Sequence, residues 1–294
     1  MTQAATRPRA PSRTVPRQPV GELLRAWRKR RGFSQLDLAC EADVSTRHVS
    51  FLETGRSQPS RTMLLHLAER MDIPLRDRNA LLAAAGFAPV FTEHRLDDPE
   101  MQAARRAVDL VLTGHEPHPA LAVDRHWTLV AANRAVAPLL AGAAPDLLQP
   151  PVNVLRLSLH PSGLAPRIEN LAQWRAHILH RLTRQIDVSA DPVLTALSDE
   201  LKGYPAPDGP AVNASNGRSE PLPSHDGVVV PLRLRTEAGT LSFFSTTTVF
   251  GTAVDVTLSE LAIEAFFPTD SATADVMRQA LARSRPLPDH AKHP

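Results

Sequence analysis

Residues 35–56 read QLDLACEADVSTRHVSFLETGR and gather hydrogen-bonding side chains at helical spacing. Ser45 suits a helix N-cap, and Gly55 suits the position just past a helix end. Between them, Val49 and Leu52 lie three apart and mark an inward stripe, leaving Thr46, Arg47 and Ser50 on other faces. A helix this short does not hold itself up in water, so it must lean on neighbours while its polar rim stays free. The chemistry open to such a rim is recognition of bases and phosphates. Arg47 can fork onto guanine O6 and N7, a contact worth ~1–3 kcal/mol of discrimination. Gln35 can bond a phosphate or brace the first contacted base. Thr54 and Arg56, with the helix N-terminal amides at Ser34 and Ser45, can hold phosphates and set register. Phe51 can meet a thymine methyl or pack within the domain, and His48 is expected to brace the adjoining helix. The competing reading is a helical module whose polar faces are solvated or dock another protein, as antitoxin-like modules do.

Other chemistry-bearing residues are sparse. A self-cleaving Ser/Lys protease needs a lysine to deprotonate its serine. After residue 91 the chain has only Lys202, beside a proline-rich loop, and Lys292, near the end. No H-E-x-x-H pattern occurs. His177 and His180 are one turn apart, and His115 and His118 flank a proline, but a metal needs a convergent third ligand. The single cysteine, Cys40, excludes an intramolecular disulfide and a cysteine-rich zinc site. No catalytic residue, metal or cofactor is expected, so the chain does not read as an enzyme.

The elements that must hold the polar rim are legible around it. Val20, Leu23, Leu24 and Trp27 form one apolar face of a first helix, which ends in Arg28, Lys29, Arg30 and Arg31 before Gly32. Cations there oppose the negative end of the helix dipole. Ser34 and Asp37 form a capping pattern for a second helix with Leu38, Ala39 and Ala42 inward. Ser60 opens a fourth helix, and Pro74 a fifth that stops at Gly86. Five short helices in one compact unit make a helix-turn-helix: Ala39 is the small crossing residue, and Asp43 stands at the turn where a left-handed backbone is needed. The charge agrees. Residues 1–91 hold 15 Lys and Arg against 8 Asp and Glu, whereas the rest holds 18 against 23, the pattern of a polyanion-binding module joined to something else.

At 294 residues the chain is long enough for two domains, and 43% hydrophobic residues allow real cores. Residues 1–18 are a Pro/Arg tail, read as solvated or as an arm adding phosphate contacts. It lacks the apolar segment of a signal peptide, and no apolar run reaches the ~20 residues of a membrane helix; a soluble, cytoplasmic protein is expected. Beyond Gly86 a helix is predicted over 101–112, and a β-hairpin with strands near 120–124 and 127–132. Helices are predicted over 133–140, 152–160 and 168–184, the last with Ile168, Leu171, Trp174, Ile178 and Leu182 on one side. Residues 203–227 read as a loop. Strands follow over 228–235 and 241–250 around a turn at Glu237-Ala-Gly239. The stretch DVTLSELAIEAFFP fits helical spacing, but its place after two strands favours a third strand. A helix over 271–284 precedes a frayed tail.

The stretch GFSQLDLACEADVSTRHVSFLETGRSQPS resembles the helix-turn-helix of Cro/C1 (XRE) regulators. More narrowly, STRHVSFLETGRS-x-PS with PLRDRNALLAAAGFAPVF resembles the MmyB-like subgroup. The similarity continues in LRLSLHPSGLAPRIENLAQWRAHILHRL and PLRLRTEAGTLSFFSTTTVFGTAVDVTLSELAIEAFFP, and spans about 20–285. The fold class expected is α+β: a five-helix lambda-repressor-like domain over 19–91, a linker helix over 92–118, a PAS-like domain over 119–285 and a tail over 286–294. The resemblance implies a ligand-binding sensor for a small apolar molecule such as a fatty acid. A PAS-like sheet packs one face on helices, and a cavity forms where that packing is incomplete. Its expected wall is Trp127, Trp174, Phe243, Phe244 and Phe250, with Arg134, Arg156, Arg167 and Arg175 as candidate partners for a carboxylate head. The partners implied are double-stranded operator DNA, a small-molecule effector and a second copy of the chain. One recognition helix covers few base pairs, so two reading heads about one helical turn apart are needed.

Overall fold

The computed structural model describes residues 19–205, 230–251 and 253–283. The chain divides into two units, 1–91 and 92–294. The N- and C-terminal tails and most of the 203–227 loop lie outside the described residues.

Unit one consists of α1 (Val20–Arg30), α2 (Gln35–Glu41), α3 (Thr46–Glu53), α4 (Arg61–Arg70) and α5 (Leu75–Ala84). Side chains start three of them. Ser34 and Asp37 cap each other's amides reciprocally at α2, Ser45 Oγ accepts from His48 N at 3.1 Å, and Ser60 Oγ accepts from Met63 N at 3.2 Å. Asp43 does take the left-handed conformation, with φ +50°, so the turn between α2 and α3 forms without glycine. Leu24, Trp27, Leu38, Ala39, Val49, Leu52, Leu64 and Leu82 close the core. Ala39 is buried as expected, but the tightest approach is at Gly21, where a Cβ would stand 2.5 Å from the Leu52 carbonyl oxygen and 2.7 Å from that of Glu53. Only glycine lets α1 lie so close on the end of α3.

Unit two is a five-stranded antiparallel sheet in the order β2-β1-β5-β4-β3. Its first elements are α6 (Gln102–Gly114), β1 (Ala120–Val123) and β2 (Leu129–Ala132), then α7 (Val154–Leu159), α8 (Leu171–Ser189) and α9 (Pro192–Gly203). They are followed by β3 (Leu232–Thr236), β4 (Gly239–Val249), α10 (Val256–Ser259), β5 (Ala262–Pro268) and α11 (Ser271–Arg283). Strand alternation assigns the faces. Val123, Leu121, Ala262 and Phe266 turn to α8 and α9, whereas Ala120, Ala122 and Ile263 turn to Val108 and Leu112 of α6. Helix α6, expected as a linker, therefore belongs to the core of the second unit.

Three further differences have local causes. Residues 133–140 are not one helix: Asn133 spends its side chain as a clamp, accepting from Ala120 N at 3.1 Å and donating to the carbonyls of Leu112 and His118. Only Ala137–Leu140 forms a 3-10 turn. DVTLSELAIEAFFP splits, because Asp255 caps Thr257 N at 2.9 Å and starts α10 before β5 pairs with β1 and β4. Helix α9 was not foreseen, although Asp191 as cap, Pro192 in the first turn and buried Leu194, Leu197 and Leu201 carry the usual helix-start and periodicity signals.

Candidate nucleic-acid interface and ligand cavity

The polar rim of α3 is backed by a buried polar network. Glu53, at the C-terminal end of α3, receives Arg28 Nε at 2.5 Å and Arg28 Nη2 at 2.9 Å, and Arg28 also donates to the Phe33 carbonyl. Gln35 Nε2 donates to Glu53 Oε2 at 2.8 Å, which leaves Gln35 one amide proton and its carbonyl for anything outside. Burial pushes the Glu53 carboxyl up, but hydrogen bonds from Arg28 and Gln35 outweigh it and hold the group below the usual carboxylate range. Thus α1, α2 and α3 are tied at one point. Arg28, expected only as a dipole partner, is part of that tie. Arg31 instead donates to the carbonyls of Met71 and Asp72 past α4.

Of the remaining candidates, Arg47 and Arg56 are exposed and flank the Phe51 ring, with guanidinium carbons 5.0 and 5.8 Å from its centre. Phe51 therefore serves both cations as a shelf. Thr46 and Ser50 are half-exposed on the same helix. The Thr54 hydroxyl donates to the Ser50 carbonyl at 2.7 Å and its amide to the same carbonyl at 3.1 Å, so both protons are committed to the helix end and only the hydroxyl oxygen is left to accept from outside. The Ser45 hydroxyl is likewise used as the cap.

The second unit holds a cavity of about 120 Å³ between the sheet and α7 and α8. Trp127, Trp174 and Phe243 line it. Phe244 does not: it neighbours Phe243 on one strand, so alternation turns it to the opposite face, where it stacks on Phe267 at 5.2 Å. Phe250 packs against the α6 cluster instead.

None of the four expected arginines lines the cavity. Arg134 forks onto Glu116, with Nη2–Oε2 2.6 Å, and Arg156 onto Glu200, whose carboxyl is pushed down to about 2 by that hydrogen bond despite its burial. Arg175 donates to the carbonyls of Tyr204 and Lys202. Arg167 donates to the Leu139 carbonyl at 2.5 Å, its Nε is buried with no partner among the described residues, and burial lowers its pKa.

The cation on the cavity wall is Arg181, which sequence reasoning missed. It lies on α8, seven residues after Trp174 and therefore on the same face. Its guanidinium covers the Trp127 ring at 4.5 Å and donates to Glu264 on β5, Nη1–Oε2 3.1 Å and Nη2–Oε1 2.5 Å, and to Thr247 Oγ1 at 2.6 Å. Trp127 is held at φ +67°, a rare conformation for a bulky residue, with Nε1 donating to Gln185 Oε1 at 2.9 Å. Near this end Trp174 Nε1 donates to Ser158 Oγ at 3.0 Å and His177 stacks on Trp174. Burial and then the charge of Arg181 push the His177 imidazole down, keeping it neutral. Lys202 sits beside Asp199 at 3.7 Å. Among the described residues no group of three or more His, Cys, Asp or Glu could hold a metal ion, and no helix is long and apolar enough to cross a membrane.

An α+β chain with a helix-turn-helix in front and a PAS-like sheet and cavity behind is a regulator in architecture. Residues 104–280 match the family model described as the MmyB-like transcription regulator ligand binding domain, and residues 24–77 match a helix-turn-helix model. The first match covers more than half of the chain, which therefore belongs to the MmyB-like transcription regulators: it is a DNA-binding helix-turn-helix regulator with a ligand-binding-type second domain. No curated protein matches it. Among solved structures, an RNA-binding light-oxygen-voltage receptor is similar at 16% identity and a TM-score of 0.26. That match takes in 88% of this chain and spans 63% of the receptor's length.

Proposed function

We propose that this regulator reads a specific operator through the exposed rim of α3, and that a small apolar effector in the cavity of the second unit alters its DNA affinity. In this reading Arg47 contacts a base edge, Arg56 and the amides at the start of α3 hold phosphates, and two copies act together on two half-sites. The observation that carries the reading is the Arg47–Phe51–Arg56 array along α3 and just past it, on a helix whose C-terminal end is locked by Arg28, Glu53 and Gln35. A rim that reads bases needs such a rigid back. The effector shifts the population between placements of the two reading heads. The cavity, about 120 Å³, suits an apolar body of about six non-hydrogen atoms at most, since a ~150 Å³ apolar cavity holds benzene; a long-chain fatty acid needs it to widen.

The test is operator selection from a random library followed by affinity measurements across salt. Binding through several phosphates weakens by decades between ~50 and ~200 mM salt. On the selected site Arg47→Ala loses ~1–3 kcal/mol, and on random DNA almost nothing. An equal loss on every sequence makes Arg47 a phosphate contact and refutes its assignment. Salt-independent binding refutes the DNA reading of the rim.

A further inference from the structure

The polar end of the cavity has no net charge to offer. Arg181 is matched by Glu264 through two hydrogen bonds, and the Glu264 side chain is only 6% exposed, so this carboxylate stays with the arginine inside the wall. A ligand carboxylate entering here would meet an arginine already compensated by Glu264, and a ligand ammonium a carboxylate already compensated by Arg181. Both would be stripped of water to enter an apolar chamber, which is costly without a partner. What the wall does offer is hydrogen bonding. Arg181 has five N–H donors, and three of its hydrogen bonds are accounted for by Glu264 and Thr247. Ser158 Oγ accepts from Trp174, which leaves its own proton to give. His177 and Ser245 also line the chamber.

Resting on the reading of this cavity as an effector site, we infer that it selects an uncharged amphiphile: an apolar body of about six non-hydrogen atoms at most ending in one hydrogen-bond acceptor, such as an alcohol or a ketone. The Arg181–Glu264 pair is the specificity device, rejecting acids and amines of the same length.

Full-length protein titrated by calorimetry at neutral pH with hexan-1-ol, hexanoate and hexylammonium tests this. The alcohol binds at least about tenfold more tightly than either ion, and Ile178→Trp, which fills the chamber, abolishes that binding. Glu264→Gln leaves the Arg181 charge unmatched and reverses the order, so that hexanoate binds more tightly than hexanol. Hexanoate binding to the unmodified protein as tightly as hexanol overturns the neutral-head assignment while leaving the apolar site standing. No binding by any of the three, or hexanol binding that survives Ile178→Trp, refutes the effector site itself and the proposal with it. The comparison on unmodified protein decides the matter even if Glu264→Gln fails to fold.

Discussion

Glu53→Ala probes the buried tie behind the recognition helix. The Glu53 side chain is 3% exposed and that of Arg28 8%, and the two share hydrogen bonds of 2.5 and 2.9 Å. Removing one partner leaves a buried charge unmatched, which costs ~3–5 kcal/mol. Gln35 loses its acceptor as well, but it is half-exposed and water can replace the bond. A helical domain of this size has roughly 4–10 kcal/mol of stability in all, so the loss takes a large share of it. Amide exchange read by mass spectrometry should show protection in α1 and α3 falling about a thousandfold, the equivalent of about 4 kcal/mol, while the β-sheet of the second unit keeps its protection. Replacing both partners by apolar residues, Arg28→Met with Glu53→Leu, should recover most of the loss, because two desolvation costs disappear together. The sign with pH follows: since the Glu53 pKa is depressed by folding, its contribution is present above the unfolded carboxylate's ~4.3 and is lost as pH falls through the folded value. Less than about 1 kcal/mol of loss in Glu53→Ala would refute the argument, since that is the range of an exposed pair.

Two further substitutions test other joints. Gly21→Ala ought to destabilise the first unit by ~1–3 kcal/mol because its Cβ meets the Leu52 and Glu53 carbonyls; thermal melts showing a gain of ~1 kcal/mol, the ordinary helix-propensity effect, would mean that the helices are not in contact there. In the second unit, the hydrogen bond from the ring of His94 to Asp255, 2.9 Å long, raises the imidazole pKa. Its stabilising contribution is complete below the unfolded value of ~6.5 and fades as pH rises through the raised one. An NMR titration should place the His94 ring above ~6.5, returning close to it in Asp255→Asn, where asparagine still caps α10; an unchanged titration in that variant would mean that the contact does not act on the ring.

The helix-turn-helix was legible because its determinants are local. Ser34, Ser45 and Ser60 cap within three residues, Asp43 takes its turn alone, and the 3.6-residue period assigns Val49 and Leu52 to the core without reference to anything distant. The hairpin, the strands around residues 237–239 and the apolar face of α8 were legible for the same reason. Asp255 marks the limit: a cap and the start of a strand stand seven residues apart, and a single period cannot describe both.

What the tertiary structure alone decided is pairing between distant residues. Phe243 and Phe244 are equivalent in composition, and only the face that β4 turns towards α8 separates a cavity wall from an outer stack. Arg134, Arg156, Arg167 and Arg175 are as cationic as Arg181. Glu116, Glu200 and the backbone carbonyls of Leu139, Lys202 and Tyr204 occupy the first four, and the meeting of α8 with β5 brings Arg181 to Glu264, 83 residues away. Charge type is a property of one residue, whereas compensation is a property of two. Sequence shows where the charges are; folding chooses which of them cancel.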